Sequence, residues 1–231
     1  YLTPVEVEAI THFMDPLNAL IVWAFVSSGL RVGELSGLHT TRLDLSRNGI
    51  NVIEQYDQKD GVIKPVPKDK EKRYVPLPPD IAAMLREHVA TLPKVKDCGV
   101  PHLAGRCPGG SIVFRGPKGA MLKSDPFGRG PWHRALADAK IEGRVRLHDL
   151  RHTFASWLIQ NGVTFAELAR VMGHSSWEVS KKYAHLSDDG YDSVRDAIGA
   201  SVASARGAGR GADPRCKVIR GDTPDAPAQA V

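Results

Sequence analysis

The sequence predicts a mainly α-helical domain carrying a small antiparallel β-sheet, an α+β architecture. Helix-starting signals and helix-length apolar stretches recur from Thr3 to about Ile198. Short β-prone runs, by contrast, gather in one region, between Ile50 and Leu77. The stretch from Arg144 to Leu186 then holds three short helical patterns in succession.

Taken in order, Thr3-Pro4-Val5-Glu6 is a capping box with proline in the first turn, so a helix starts there. A second helix runs from about Pro16 to Ser28. It is apolar nearly all round and therefore buried, and Gly29 supplies a left-handed stop. Asn48-Gly49 offers a tight turn before Ile50–Ile53, which reads as a strand. Val62–Val66 and Arg73–Leu77 are two further β candidates flanking the charged turn KDKEK, and the whole reads as one small sheet. Pro78-Pro79-Asp80 opens a helix to about Thr91, residues 93–111 are loop-like, and Pro126–Ala139 is helical. The helical block begins at about His148, and Ser187-Asp188-Asp189 caps one more helix to about Ile198. Beyond Gly199 the chain is rich in Ala, Gly and Pro with few large apolar residues, too little to offset its ordering entropy, so residues 199–231 read as a disordered tail.

The chain has 231 residues, 31 Lys plus Arg and 26 Asp plus Glu, a formal charge of +5. That excess suits a polyanionic partner and equally suits simple solubility. The longest apolar run, Ala19–Val26, falls far short of the roughly 18 residues of a membrane span. The first residue is Tyr1 and no signal pattern follows, so the sequence reads as a piece of a longer chain. Cys98, Cys107 and Cys216 are odd in number and unpatterned, which favours a reduced, cytoplasmic setting.

Several residues can carry chemistry. Leu147, Leu150, Phe154 and Leu158 form one core-facing helical stripe, with Arg151 at its edge and His148 a turn toward solvent. Together they can grip a phosphate by a guanidinium fork and an imidazole, or they form a surface pair with no ligand. Arg31 follows the buried helix, with Glu34 three residues on; an unpaired arginine there is costly to bury, so it must reach Glu34, water or an anion. Lys68, Lys70 and Lys72 sit on a hairpin tip, solvated or able to enter a nucleic-acid groove and protonate a leaving alkoxide. Residues 165–185 support two readings. Ala169, Gly173 and Val179 fit a helix-turn-helix DNA reader. Alternatively His174 is exposed at the turn, and Tyr183, beside Lys181 and Lys182, is an accessible nucleophile whose phenol needs help to attack. Cys98, His102 and Cys107, with His88 upstream, are a weak zinc candidate of unfamiliar spacing; free thiols in a loop are the preferred reading.

Together these motifs resemble the catalytic domain of the tyrosine recombinases, the phage-integrase-type family, over residues 1–198. SSGLRVGELSGL resembles the first arginine motif, which implies catalysis by Arg31 with support from Glu34. KDKEKRYVPLP is similar to the β-hairpin bearing the catalytic lysine, at Lys68. HDLRHTFAS gives His148 and Arg151, VMGHSS gives His174, and KKYAHL gives the nucleophile Tyr183. The resemblance implies that Tyr183 attacks a phosphodiester of double-stranded DNA to leave a 3′-phosphotyrosyl link, without metal or cofactor. Around that chemistry Lys70, Lys72, Arg73, Arg146, Lys181 and Lys182 are expected to contact DNA. It further implies a tetramer on DNA, interlocked through the helix after Ser187, a nucleoid-associated location, and a DNA-clamping domain upstream that this chain lacks. A topoisomerase-like relaxing enzyme with the same nucleophile and a non-catalytic DNA reader are the alternatives.

Overall fold

The computed structural model describes residues 1–66, 72–173 and 190–208. Helix α1 (Pro4–His12) starts where the capping box predicts, with the Thr3 hydroxyl accepting from the Glu6 N–H. Helix α2 (Pro16–Ser28) is buried from Leu20 to Ser28 and runs through the centre of the core. It packs against α1, against α4 (Pro79–Ala90) and against α7 (Leu147–Gln160). The first residues close onto α7: the Leu2 N–H donates to Thr153 Oγ1 (3.0 Å), and Trp157 Nε1 donates to the Leu2 carbonyl (3.0 Å).

Gly29 ends α2 in the left-handed region, φ 59°. A Cβ there would sit 2.3 Å from the Phe154 ring, so both the turn and the close approach of α7 demand glycine. The short helix α3 (Val32–Ser36) follows at once, with Arg31 as its N-cap residue.

The β region splits, contrary to the single sheet expected. Strands β1 (Leu43–Asp44), β2 (Gly49–Val52) and β5 (Arg73–Pro76) form one antiparallel sheet in the order β1-β2-β5, with Ile50 opposite Val75. Strands β3 (Glu54–Asp57) and β4 (Val62–Pro65) form a separate antiparallel pair, with Tyr56 opposite Ile63. The two candidates flanking the lysine turn therefore pair with different strands. The sheet places β5 against helix α8 (Phe165–Met172), while the pair places β3 against α3.

The helix expected over Pro126–Ala139 is broken: α5 (Ser124–Phe127) leads through a π-type turn with Pro131 inside it to α6 (His133–Asp138). Proline cannot supply the amide of a regular helical ladder, which accounts for the irregular turn.

Helix α9 (Gly190–Ala208) runs ten residues past the expected end at Ile198. Val202 is fully buried, and Asn161 Nδ2 donates to Ser201 Oγ (3.0 Å), so residues 199–208 belong to the domain and not to a disordered tail. Among the described residues no helix is long and apolar enough to cross a membrane. Lys68, Lys70, His174, Lys181, Lys182, Tyr183, Ser187 and residues 209–231 lie outside the described residues.

Candidate active site

Three arginines from distant parts of the chain meet at the C-terminal end of α8. Arg73 Nε donates to the Val171 carbonyl (2.7 Å), Arg151 Nη2 to the Met172 carbonyl (2.6 Å), and Arg31 Nη2 to the Gly173 carbonyl (3.3 Å). A helix's last carbonyls lack intrahelical partners and carry its negative end, so this turn is a natural seat for cations. Gly173 holds the turn open in the left-handed region (φ 60°), where a Cβ would lie 2.9 Å from Arg73 Nη1. Arg151 also donates to the Gly29 carbonyl at the end of α2. Two helix C-termini thus hold one guanidinium.

Glu34 is the only carboxylate that hydrogen-bonds these arginines among the described residues. Arg73 forms a fork on it through Nη1–Oε1 (3.0 Å) and Nη2–Oε2 (2.7 Å), and Arg31 Nη1 lies 2.9 Å from Oε1. Burial would raise its pKa, but the hydrogen bond and charge of Arg73, then those of Arg31, hold it below the ordinary 4.5. Among the described residues, three guanidinium charges against one carboxylate leave an excess of two positive charges in a largely dry site. Arg151 is 4% exposed. Burial, and then repulsion from Arg31, bring it down to about 10, still cationic at neutral pH. Arg31 remains partly exposed and forms the solvent-facing edge. Such a cluster is built to receive an anion.

The expected stripe on α7 is observed, with Leu147, Leu150, Phe154 and Leu158 buried and Arg151 inward. His148 stands one turn earlier on the solvent side, its ring edge-on to that of His152 at 5.1 Å. Partial desolvation, then the nearby His152 and Arg151, lower its pKa below 6.5, so it is mainly neutral at pH 7. Lys72 is exposed immediately before β5. Arg146 is exposed at the start of α7 and lies 3.3 Å from Asp149.

Arg73 requires a correction. The expectation of a DNA contact fails because its side chain is buried and spent on Glu34 and Val171. Through their shared carboxylate, Glu34, it backs Arg31. RYVPLP gave no sign of this, because inward direction at the start of β5 depends on Glu34, 39 positions away.

A second cluster lies apart from the arginines. The sequence groups Cys98, His102 and Cys107 with His88; the structure brings the first three together with His39 instead. His88 Nε2 lies 2.7 Å from the Val113 carbonyl, and its ring stacks on Phe114. Nothing near His39 in the sequence marks it as a partner of residues about 60 positions downstream.

The sequence profile of the Phage integrase family matches residues 1–189. The tyrosine recombinase XerC of Halalkalibacterium halodurans is 27% identical over 178 residues, 74% of this chain and 51% of that protein. The integrase of Salmonella phage P22 is 51% identical over 55 residues, 24% of this chain and 14% of that protein. The chain spans about half the length of the curated relatives it matches over most of its own. Among solved structures, the Tn1549 transposon integrase in complex with a circular intermediate DNA superposes with TM-score 0.62 at 22% identity. That match covers 84% of this chain and 64% of that one. The XerA recombinase superposes with TM-score 0.58 at 21% identity, over 83% of this chain and 62% of that one. These likenesses establish a recombinase catalytic-domain fold, helix-rich with small antiparallel sheets. With the family profile spanning most of its length, the chain belongs to the phage integrase family.

Proposed function

We propose that this domain carries out site-specific DNA recombination by breaking and rejoining strands through a 3′-phosphotyrosyl link at Tyr183. The observation that carries the reading is the convergence of Arg31 and Arg151 at the C-terminal turn of α8, with two positive charges in excess. His174 follows that turn directly in the sequence. Family membership, and relatives named as tyrosine recombinases and integrases, support the same reading.

In this mechanism the Tyr183 hydroxyl attacks the scissile phosphorus. The bond to the 5′ oxygen breaks and the bond to the tyrosyl oxygen forms. Arg31 and Arg151 neutralise the non-bridging oxygens, where charge builds in the transition state, and His174 adds a hydrogen bond. Neutral His148 assists removal of the phenol proton, and Lys68 protonates the departing 5′-oxygen. A second strand's 5′-hydroxyl reverses the step. Bond energy is retained in the ester, so the exchange is close to isoenergetic. Glu34 and Arg73 hold Arg31 from behind. Lys70, Lys72, Arg146, Lys181 and Lys182 contribute backbone contacts to duplex DNA, and α9 provides the subunit contact of a tetramer on DNA.

Nicked duplexes of randomised sequence, from which the cut strand diffuses away, test the reading. The chain should give a protein–DNA adduct on a denaturing gel, and Tyr183→Phe should give none while binding DNA as tightly. An adduct formed by the Phe variant would move the nucleophile elsewhere.

A further inference from the structure

Around the β3–β4 pair, away from the arginines, four metal-binding side chains converge from three stretches of chain. One donor atom each of His39, Cys98, His102 and Cys107 lies within 4.8 Å of all the others. Cys98 Sγ is 3.4 Å from His102 Nε2, and Cys107 Sγ is 3.9 Å from His39 Nε2. A tetrahedral zinc ion, with bonds of about 2.3 Å to sulfur and 2.0–2.1 Å to nitrogen, holds its donors roughly 3.3–3.8 Å apart. The Cys98–His102 pair is already at such a separation and the Cys107–His39 pair is close to it, so the four donors, all within 4.8 Å of one another, need only to draw in slightly to close on an ion.

The surroundings are those of a metal centre. His39 is fully buried, and its Nδ1 lies 3.0 Å from Glu54 Oε1, with the N–H poorly aligned to that oxygen. Arg42 Nε holds the same oxygen at 2.9 Å. Carboxylate behind histidine is the arrangement that fixes a ligand's tautomer and raises its basicity, and an ion on Nε2 would commit the Nδ1 proton to Glu54. The Cys98 N–H donates to Cys107 Sγ (3.3 Å), the contact that stabilises a coordinated thiolate. Tyr56, Ile63, Val100 and Ile112 pack with Cys98 in one apolar cluster, with Cys107 against it, while His102 and Cys107 stay half-buried.

The backbone holds the ligands in place. His39 is gripped between Val113 N–H to Leu38 carbonyl (2.8 Å) and Thr40 N–H to Ser111 carbonyl (2.9 Å). His102 is held by Ile63, which donates to the Pro101 carbonyl (2.8 Å) and accepts from the Leu103 N–H (2.8 Å).

We propose that His39, Cys98, His102 and Cys107 form a closed Cys2His2 zinc site that staples the 93–111 segment to the chain just after α3. Two sulfur and two nitrogen donors suit zinc, and two thiolates neutralise its charge. All four positions are filled by protein, so the role is structural. The site braces β3, which packs against α3 and hence against the helix that carries Arg31 and Glu34.

The test is metal content of the 231-residue chain purified reduced and without chelator, by plasma mass spectrometry. Stoichiometric zinc is expected. Loss of zinc is expected in Cys98→Ser and Cys107→Ser, and retention in His88→Ala and Cys216→Ser. The reduced, metal-stripped chain should take up cobalt with thiolate-to-metal charge-transfer absorption and the ligand-field bands of a tetrahedral ion. A chelator should lower the melting temperature of the parent chain. Should the serine variants fail to fold, the parent chain's zinc content and cobalt spectrum decide alone. Absence of both zinc and cobalt uptake, a Cys98–Cys107 disulfide in the reduced preparation, or an unchanged cobalt spectrum in Cys98→Ser would overturn the assignment.

Discussion

Residue by residue, the site depends on one carboxylate serving two arginines. Glu34 and Arg73 are both buried, so removing one partner strands the other's charge. Arg73→Met should destabilise the domain by about 3–5 kcal/mol, toward the lower end because Arg31 still faces Glu34. Chemical denaturation measures this; a loss below about 1 kcal/mol would return Arg73 to the exposed residues. The depressed pKa of Glu34 means its contribution is full above its ordinary 4.5 and is lost as pH falls through the lower folded value. His148 gives a separate signature in rate. Its folded pKa lies below 6.5, and only the neutral ring accepts a proton, so single-turnover cleavage should fall off on an acid limb below pH 6.5. That limb should vanish in His148→Gln; an identical limb in the variant would assign it to another group. At this scale the motifs are legible in the sequence, but not all of the partners that hold them. Arg31, Glu34, His148 and Arg151 stand in recognisable motifs, whereas Arg73 and His39 take their roles from partners distant in sequence.

Among the elements, helices with their own start and stop signals were legible. The capping box of α1, the glycine stop of α2 and the apolar stripe of α7 are local properties, and the structure follows them. Elements made by their neighbours were not. Glu54-Gln55-Tyr56-Asp57 has no apolar alternation and is a strand because Val62–Pro65 pairs with it. Residues 199–208 are mostly small, which reads as an inability to bury surface. Yet alanine is a strong helix former, and Val202 and Ser201 seat that end of α9 in the core. A chain ending after Ala208 should therefore be more stable than one ending after Ile198. The burial of Val202 alone corresponds to roughly 1.5–3 kcal/mol. Equal stabilities by urea denaturation would restore the shorter boundary.

Across the whole molecule, folding gathers charges that the sequence keeps far apart. Arg31 reaches the Gly173 carbonyl across 142 positions, and Arg151 reaches Gly29 across 122. Motif order foretold that such residues belong together, but not that two helix ends would be their anchor. The excess charge at that anchor is the centre of the account: it should act on the transition state far more than on bound DNA. The direct measurement is single-turnover cleavage by Arg151→Ala at saturating DNA, beside its DNA affinity. Loss of one such electrostatic donor typically slows a reaction by about 10²–10³. A drop of that order with affinity little changed is the result expected, whereas an unaltered cleavage rate would contradict the account.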